Sequence, residues 1–180
     1  MVDNTEKQAR RQGRLAPEMY EFRDSIKTLM LATVNAEGMP NVSYAPFALR
    51  EDGYYILISE LARHTQNLLA NPVVSLMMVE DEQDCRTLFA RRRLTFDACP
   101  ERVERNTEAW QAGIAALTER HGDTVTGLTG LGDFHLFRLV PVQGLFVKGF
   151  GQAFAVSGDD LVNVQPLTGG HRPLVAGKRG

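Results

Sequence analysis

The chain has 180 residues, of which 43% are hydrophobic and 23% are charged, and its formal net charge is −2. This composition is typical of one globular domain, and the length is sufficient to bury a core without disulfides or metals. The small net charge argues against binding to nucleic acid or to anionic membranes. Cys85 and Cys99 have no metal-ligand spacing and predict no disulfide framework, which favours a reducing compartment.

The sequence predicts no targeting or membrane-spanning segment. No apolar run approaches the roughly 20 residues that cross a bilayer, and residues 1–15 lack the hydrophobic region of a signal peptide. We therefore expect a cytoplasmic protein that has neither nucleic acid nor membrane as a partner. We predict a folded domain at 16–163, preceded by a polar arm (1–15) and followed by a glycine-rich C-terminal loop (164–180).

The first half of the chain begins with one predicted helix and continues as strands. Apolar residues at helical spacing predict an amphipathic helix over 17–27. Strands are predicted over 28–34, 40–49 and 54–59, and the short turns between them indicate an antiparallel meander. The second of these strands contains two prolines, which argue for an edge position or a bulge.

The segment 54–80 combines a strand, a short helix and a second strand. The helix is predicted over 62–70 and ends at Asn71-Pro72, because proline cannot continue the helical hydrogen bonds. The second strand covers 73–79. A helix N-terminus at the edge of a sheet is a suitable anion site. Polar residues cluster at this strand-to-helix turn, namely Ser59, Arg63, His64 and Asn67.

The remaining elements complete a small barrel. The sequence predicts a strand over 85–98, a helix over 105–121, a loop over 123–132 and final strands over 134–140 and 145–156. Pro141 and Gly144 separate the last two strands, and Gly149 and Gly151 predict a bulge or bend. Six or seven short antiparallel strands with two or three helices indicate a closed barrel with an α+β composition.

Charged residues between the middle strands have two interpretations. Glu80–Glu82 is interpreted as a solvated loop tip. The run Arg91–Arg93 is typical of a solvated or ion-paired edge. Beside a ligand cleft, Arg92 would instead clamp a carboxylate or phosphate, and both interpretations stay open.

No local motif identifies a reaction. The chain has no phosphate-binding loop, dinucleotide fingerprint, zinc-ligand spacing or nucleophile elbow. Its four histidines are widely separated in the sequence. Any site must therefore be assembled by the fold or between subunits, and the residues alone predict only a small antiparallel barrel that is compatible with a ligand.

A resemblance to known families adds a function. The segment from Ser59 through Arg63-His64 and Asn67-Leu68 to Asn71–Leu76 resembles the split-barrel proteins related to pyridoxamine 5′-phosphate oxidase, most of which bind FMN at a dimer interface. The chain from about Arg14 to Arg172 is similar to the HutZ-type heme-utilisation branch. The segments that carry this second similarity are 14–15, 28–34, 40–47, 88–91, 93–98, 133–134, 136–139, 143–152, 156–161 and Gly170-His171-Arg172.

The resemblance implies a homodimeric split barrel with heme at the subunit interface. It implies that His171 is the axial ligand of the heme iron and that Asp133 is an acidic residue near that ligand. It also implies that heme is degraded, with O2 and an unidentified electron donor, to a biliverdin-type tetrapyrrole and free iron. His171 and Asp133 are thus the expected catalytic pair.

The chemistry of this pair is coherent. A neutral imidazole is a good ligand for heme iron. A carboxylate at Asp133 that accepts the other ring N–H would fix the tautomer of His171 and increase its electron donation to the metal. Gly169 and Gly170 would allow the C-terminal loop to close over the porphyrin.

The heme propionates require cations or hydrogen-bond donors. Arg63, Arg92 and Lys148 are the candidates, although an ordinary surface ion pair is an equally good interpretation of each. His64 is interpreted as a polar residue that lines the site, with a packed turn residue as the alternative. Strand alternation places His135 on the same face as Asp133, and we assign it no role.

Three functions remain open at this point. The first is a heme-degrading, heme oxygenase-like enzyme. The second is a heme carrier or storage protein without turnover, which would use the same residues. The third is an FMN-dependent oxidoreductase, in which the Gly170-His171 segment would have no purpose.

Overall fold

The computed structural model describes residues 4–157 and 163–166, and the side chains from Gly13 to Val156. Within these residues the helices are α1 (Asn4–Ser25), α2 (Arg63–Ala70), α3 (Glu108–His121) and α4 (Thr124–Thr129). The strands are β1 (Thr28–Val34), β2 (Pro40–Pro46), β3 (Ala48–Arg50), β4 (Gly53–Ser59), β5 (Val74–Val79), β6 (Arg93–Val103), β7 (Phe134–Gly149), β8 (Gln152–Ser157) and β9 (Asn163–Pro166). Every strand pair is antiparallel, which confirms the predicted mainly β fold.

One segment of the chain supplies both ends of the sheet and so closes it into a barrel. The strand order is β2-β1-β5-β6-β7-β4-β3. β2 pairs with β1, whereas β3, which begins directly after Phe47, pairs with β4. The break at Pro46-Phe47 divides the predicted strand 40–49 into two strands, and its prolines occupy the first and last positions of β2. The carbonyl of Phe47 is hydrogen-bonded to His121 Nε2 at 2.8 Å, which gives that histidine a structural role.

The barrel splits along β7. One edge of β7 pairs with β6. The other edge pairs with β4 over 134–139 and with β8 over 144–149. Between these two stretches β7 bulges at Val142, opposite Asp97 and Ala98. This other edge has no partner there among the described strands, and a bulge at a free edge is where a sheet tolerates proline.

The predicted break between two final strands is therefore wrong. Pro141 and Gly144 lie inside the 16-residue strand β7. Gly144 does not end the strand but lies directly against the ring of Phe96 on β6, where a β-carbon would have no room. The turn into β8 confirms the predicted bend, because Gly151 has a φ of +65°.

β4 separates two apolar cores, which explains why its sequence is hydrophobic without interruption. Tyr54, Ile56 and Ile58 face the interior of the barrel. Tyr55 and Leu57 face α3 and α4, and we call the apolar cluster on that side the second core. All five are buried. α1 covers the open side of the barrel core with Leu15, Met19 and Phe22.

Two predicted elements in the helical parts of the chain also differ from the structure. α1 begins at Asn4 rather than at 17, so Pro17 lies inside the helix and residues 4–15 are helical. α4 replaces the predicted loop over 123–132, because Val125 packs into the second core and overrides the weak helix propensity of the sequence.

The strand predicted over 85–98 begins only at Arg93 and continues to Val103. A 3₁₀ turn at Leu88–Ala90 precedes it. Pro100 does not end β6, because it pairs opposite Leu139 of β7. The predicted boundary between the domain and the C-terminal loop falls inside β9, which runs from Asn163 to Pro166.

Candidate functional site

The ends of β4 and β7 build a polar corner on the edge of the barrel. Their pairing ends at Ser59 opposite Phe134, so the residues that leave the sheet on each chain segment are neighbours. The backbone N–H of Glu60 donates to the carbonyl of Asp133 at 2.7 Å. His135 Nε2 lies 2.9 Å from Glu60 Oε2. We call Ser59–His64 together with Asp133–His135 the β4–β7 corner.

The side chain of Asp133 is held within this corner. Ser59 Oγ donates to Asp133 Oδ2 at 2.8 Å. The same Ser59 oxygen accepts from the backbone N–H of Leu61 at 3.2 Å. The structure thus joins Asp133 to the strand-to-helix turn that the sequence singled out, across a separation of 74 residues.

Arg63 and His64 begin α2, four and five residues after Ser59. Arg63 is exposed, and within the described part of the chain it forms no ion pair. His64 is half-buried, and its Nε2 atom is enclosed without a hydrogen-bond partner among the described residues. Burial lowers the pKa of His64, so its imidazole is neutral near pH 7. The corner therefore offers one unpaired cation and one neutral imidazole.

The first turn of α2 has further capacity to donate hydrogen bonds. Ala62 occupies the N-cap position, and its side chain cannot accept from the backbone N–H groups of that turn. Leu61 within the corner and Leu131 next to it are 84% and 48% exposed. The combination of free donors with exposed apolar side chains is suited to an anionic ligand that has a large apolar body.

Asn67 does not take part in this corner. Its Nδ2 atom donates to Thr33 Oγ1 at 2.9 Å, and both residues are buried. This bond ties α2 to β1 and gives Asn67 a structural role. Of the predicted polar cluster, the open corner therefore contains Ser59, Arg63 and His64.

Arg92 forms an ion pair with Glu80 at the other end of the barrel. Its Nε atom lies 2.8 Å from Glu80 Oε1, its backbone N–H donates to Glu80 Oε2 at 3.0 Å, and its guanidinium lies over the ring of Phe22. The interpretation of Glu80 as part of a solvated loop tip is wrong, because Glu80 is 7% exposed. A buried carboxylate at the end of β5 requires a cation, and the arginine run that opens β6 provides it.

Lys148 is likewise paired, with Glu18 of α1. Arg93 pairs opposite Val147, whereas Val103 at the far end of β6 pairs opposite Leu136 near the β4–β7 corner. Ten residue steps along a strand correspond to roughly 30 Å. One chain therefore does not bring Arg92 or Lys148 to Asp133.

The outer face of the sheet carries a second feature, a shallow hollow of about 600 Å³ that we call the outer hollow. It crosses β1, β5, β6, β7 and β8, and its lining includes Met30, Met77 and Leu145. Asp97 lies within it and accepts from Ser75 Oγ at 2.6 Å and from Gln143 Nε2 at 2.9 Å. These bonds, the one from Gln143 first, lower the pKa of Asp97. At one margin, Val42 and Tyr44 are 67% and 68% exposed.

Comparison with known proteins assigns this fold to a family. Residues 15–148 match the family model described as pyridoxamine 5′-phosphate oxidase. Over 176 residues the chain is 58% identical to a protein of Vibrio cholerae serotype O1 named heme oxygenase HutZ, which covers 98% of this chain and 100% of that protein. The chain belongs to the HutZ-type branch of the split-barrel family. This result confirms the resemblance inferred from the sequence.

A crystal structure of HutZ and one further relative of this HutZ-type chain extend the comparison. A crystal structure of Vibrio cholerae HutZ, described as a heme storage protein, has a TM-score of 0.73 and 54% identity, and the match covers 76% of this chain and 96% of that one. A chloroplastic protein of Arabidopsis thaliana named non-canonical heme oxygenase HOZ is 35% identical over 133 residues, or 72% of this chain and 39% of that protein.

His171 lies outside the described residues, as do Gly169, Gly170 and Arg172, so its role as a ligand stays a prediction.

Among the residues that the structure describes, none of the helices has the length and hydropathy needed to cross a membrane.

The structure adds three contacts that the sequence did not predict. Two lie at the β4–β7 corner, namely the pairing of Glu60 with His135 and the bond from Ser59 to Asp133, and the third pairs Glu80 with Arg92 at the other end of the barrel. The register of β4 against β7 determines the first, since His135 pairs opposite Ile58. The sequence pattern that indicates this contact is the alternation of side chains along β7, which places His135 on the same face of the strand as Asp133.

Proposed function

We propose that this chain is an enzyme that binds heme and degrades it oxidatively to a biliverdin-type tetrapyrrole with release of iron. The reaction uses O2 and an electron donor. The observation that carries the proposal is the 58% identity to heme oxygenase HutZ, which extends over 98% of the chain. The unpaired cysteines Cys85 and Cys99 support a reducing, cytoplasmic location for the activity.

The β4–β7 corner fits heme as a ligand. Heme combines a large apolar ring with two anionic propionates. The exposed cation of Arg63 and the uncapped N–H groups of α2 are suited to a propionate, while Leu61 and Leu131 are suited to the ring edge. The enclosed Nε2 atom of His64 has no partner among the described residues, which supports a role for His64 in lining the site.

His171 and Asp133 are assigned the central roles. His171 would hold the iron through a neutral imidazole. The Asp133 carboxylate would accept the other ring N–H, which fixes the tautomer of His171 and increases its donation to iron. Bound in this way, heme supplies the metal at which O2 is activated. The protein's part is to hold the ring, to orient the imidazole and to keep the carboxylate in place.

We assign the working unit as a homodimer with the heme site at the interface. The outer hollow and its exposed apolar margin support this assignment, because a patch of this kind is typical of a surface that becomes covered. Arg92 and Lys148 stay predicted propionate ligands. In a dimer they would come from the second protomer, and each would have to exchange its bond with Glu80 or Glu18 for the propionate.

A heme carrier without turnover is the second candidate. The description of the Vibrio cholerae HutZ structure as that of a heme storage protein favours it. The site residues would be the same in both functions. Only the fate of bound heme in the presence of a reductant separates them.

Titration of the purified protein with hemin, followed by ascorbate in air, tests the proposal. We expect a sharp Soret band that saturates at one heme per chain and then decays to a biliverdin-like band. A Soret band that persists under ascorbate would support the carrier. A protein that is yellow as purified and gives no Soret band would overturn both functions and favour an FMN-dependent oxidoreductase.

A further inference from the structure

The hydroxyl of Ser59 has a defined direction in the β4–β7 corner. Its oxygen lies 3.2 Å from the backbone nitrogen of Leu61 and 2.8 Å from Asp133 Oδ2. A backbone N–H can only donate, so the oxygen must accept from Leu61. The single hydroxyl proton therefore points at Asp133.

The main chain around Asp133 is fixed by separate bonds. Glu60 N–H donates to the Asp133 carbonyl at 2.7 Å, and His135 Nε2 lies 2.9 Å from Glu60 Oε2. β7 begins at the next residue, Phe134, which pairs opposite Ser59. Loss of the Ser59 hydroxyl would therefore leave the backbone around Asp133 in place, and it would release the Asp133 carboxylate and the N–H of Leu61.

The bond from Ser59 also makes the two oxygens of the Asp133 carboxylate different from each other. Oδ2 receives the hydroxyl, and in the described part of the chain no group donates to Oδ1. A carboxylate that is held by one oxygen presents the other in a fixed direction. That oxygen is the one available to an imidazole N–H.

We propose that Ser59 is a positioning residue for heme chemistry: it orients the Asp133 carboxylate so that Oδ1 accepts from the axial imidazole. This inference rests on the proposed function, in which His171 binds the iron and Asp133 accepts from it. Among the described residues, the Ser59 hydroxyl is bonded to Asp133 and Leu61. It acts through the carboxylate by preventing rotation about the Cβ–Cγ bond.

The test uses the full-length protein loaded with hemin and compares Ser59→Ala with Ser59→Thr, which retains the hydroxyl. The main measurement is the iron–histidine stretching frequency of the ferrous protein in the resonance Raman spectrum, which reports donation from the imidazole independently of turnover. We expect Ser59→Ala to bind one heme per chain and to shift this frequency in the same direction as Asp133→Asn. The decay of the Soret band under ascorbate should slow by up to about 10-fold, the lower end of the effect of outer-sphere partners. Ser59→Thr should restore both values.

Two further variants separate a positioning role from a structural one. Ser25→Ala removes a comparable hydroxyl, which donates to the carbonyl of Phe22 at 2.7 Å in α1, and should leave the frequency unchanged. The double variant Ser59→Ala/Asp133→Asn should match Asp133→Asn alone, because Ser59 acts only through that carboxylate. A wild-type frequency in Ser59→Ala, or additive effects in the double variant, would overturn the inference.

The result also distinguishes this inference from the proposed function. If the wild-type protein holds heme through His171 without degrading it, the enzyme proposal fails and the frequency shift in Ser59→Ala still decides the role of Ser59. If Asp133→Asn leaves the frequency of a heme-degrading wild type unchanged, the positioning role is overturned while the activity stands.

Discussion

The ring of Tyr55 lies against the backbone of Gly113 and occupies the space that a side chain at position 113 would need. A β-carbon there would lie 2.6 and 2.8 Å from two ring carbons of Tyr55 and 2.9 Å from a methyl group of Leu136. Tyr55 and Leu136 are both buried, so neither can move aside without disturbing the second core. This contact sets how closely α3 packs on β4.

We expect Gly113→Ala to lower the free energy of unfolding by about 1–2 kcal/mol. Overpacking of a core costs about 1–3 kcal/mol, and three contacts below 3.0 Å with buried side chains place this site at the upper end, about 2–3 kcal/mol. The better helix propensity of alanine returns about 1 kcal/mol. For a domain of this size the melting temperature should fall by about 2–8 °C. Gly127→Ala in α4 is the matched control, since its β-carbon would meet nothing within 4 Å. Equal stability of Gly113→Ala and wild type would contradict the close approach.

The pair of Glu80 and Arg92 predicts a dependence of stability on pH. Burial raises the pKa of Glu80, but the backbone N–H and the guanidinium of Arg92 outweigh it, so the pKa lies below its ordinary value of 4.5. A carboxyl with a lowered folded-state pKa stabilises the fold above the unfolded pKa. This stabilisation is lost as the pH falls through the folded pKa.

Glu80→Gln should therefore destabilise the fold at pH 7 by about 1–2 kcal/mol, the loss of a charged hydrogen-bond partner. Its difference from wild type should shrink as the pH falls below 4.5, the ordinary pKa of a glutamate, and on through the lowered pKa of the folded protein. Urea unfolding at pH 7, 5 and 3 measures this change. Glu82→Gln is the control, because Glu82 is largely exposed and contacts Arg91 at 3.4 Å. A difference that stays constant over this range would show that the ionised pair does not stabilise the fold.

The sequence predicted the β4–β7 corner in part because much of it is local. Ser59, Arg63 and His64 lie in one short segment, and the turn between a strand and a helix ended by Asn71-Pro72 already places them together. The bond from Ser59 to Asp133 could not be predicted, because it depends on the register of two strands 74 residues apart. The resemblance indicated Asp133 but not the group that holds it.

The same reasoning explains the elements that were wrong. Glu80 was misinterpreted because local composition, Glu80-Asp81-Glu82, is typical of a solvated turn, while its burial depends on Arg92 across the hairpin. The sequence predicts a strand boundary at Pro141, but β7 continues through it, because one edge of β7 is free there between its pairings with β4 and β8. That free edge depends on strands that are distant in the sequence. In both cases a contact that is distant in sequence overrode the local signal.

His171→Ala tests the predicted axial ligand. We expect loss of the wild-type Soret band, or a large change in its position, because the iron loses its imidazole. The melting temperature should stay close to wild type, since apolar side chains of α1 and the strands build the barrel core within the described residues. Circular dichroism and heme titration of the same sample measure both properties. An unchanged heme affinity and spectrum would exclude His171 as the ligand.

Met30→Glu tests the dimer assignment. Met30 is 36% exposed on β1 and lines the outer hollow, so a carboxylate there would be forced into the proposed interface. We expect monomers in sedimentation velocity and at least a tenfold weaker affinity for hemin. Phe89→Glu is the control, because Phe89 is 89% exposed on the 3₁₀ turn and does not line the hollow. A dimeric Met30→Glu protein would place the interface elsewhere.

Asp133→Asn tests whether the carboxylate governs turnover rather than binding. The amide is nearly isosteric and can still accept from Ser59, so the corner should keep its shape and hemin should bind at one per chain. An amide oxygen accepts the imidazole N–H more weakly than a carboxylate, so His171 would donate less to the iron. We expect heme decay under ascorbate to slow by about 10–100-fold. Asp123→Asn, at the start of α4 and without a side-chain cap bond, is the matched control and should decay at the wild-type rate. Wild-type decay in Asp133→Asn would remove this residue from the mechanism while leaving heme binding by His171 intact.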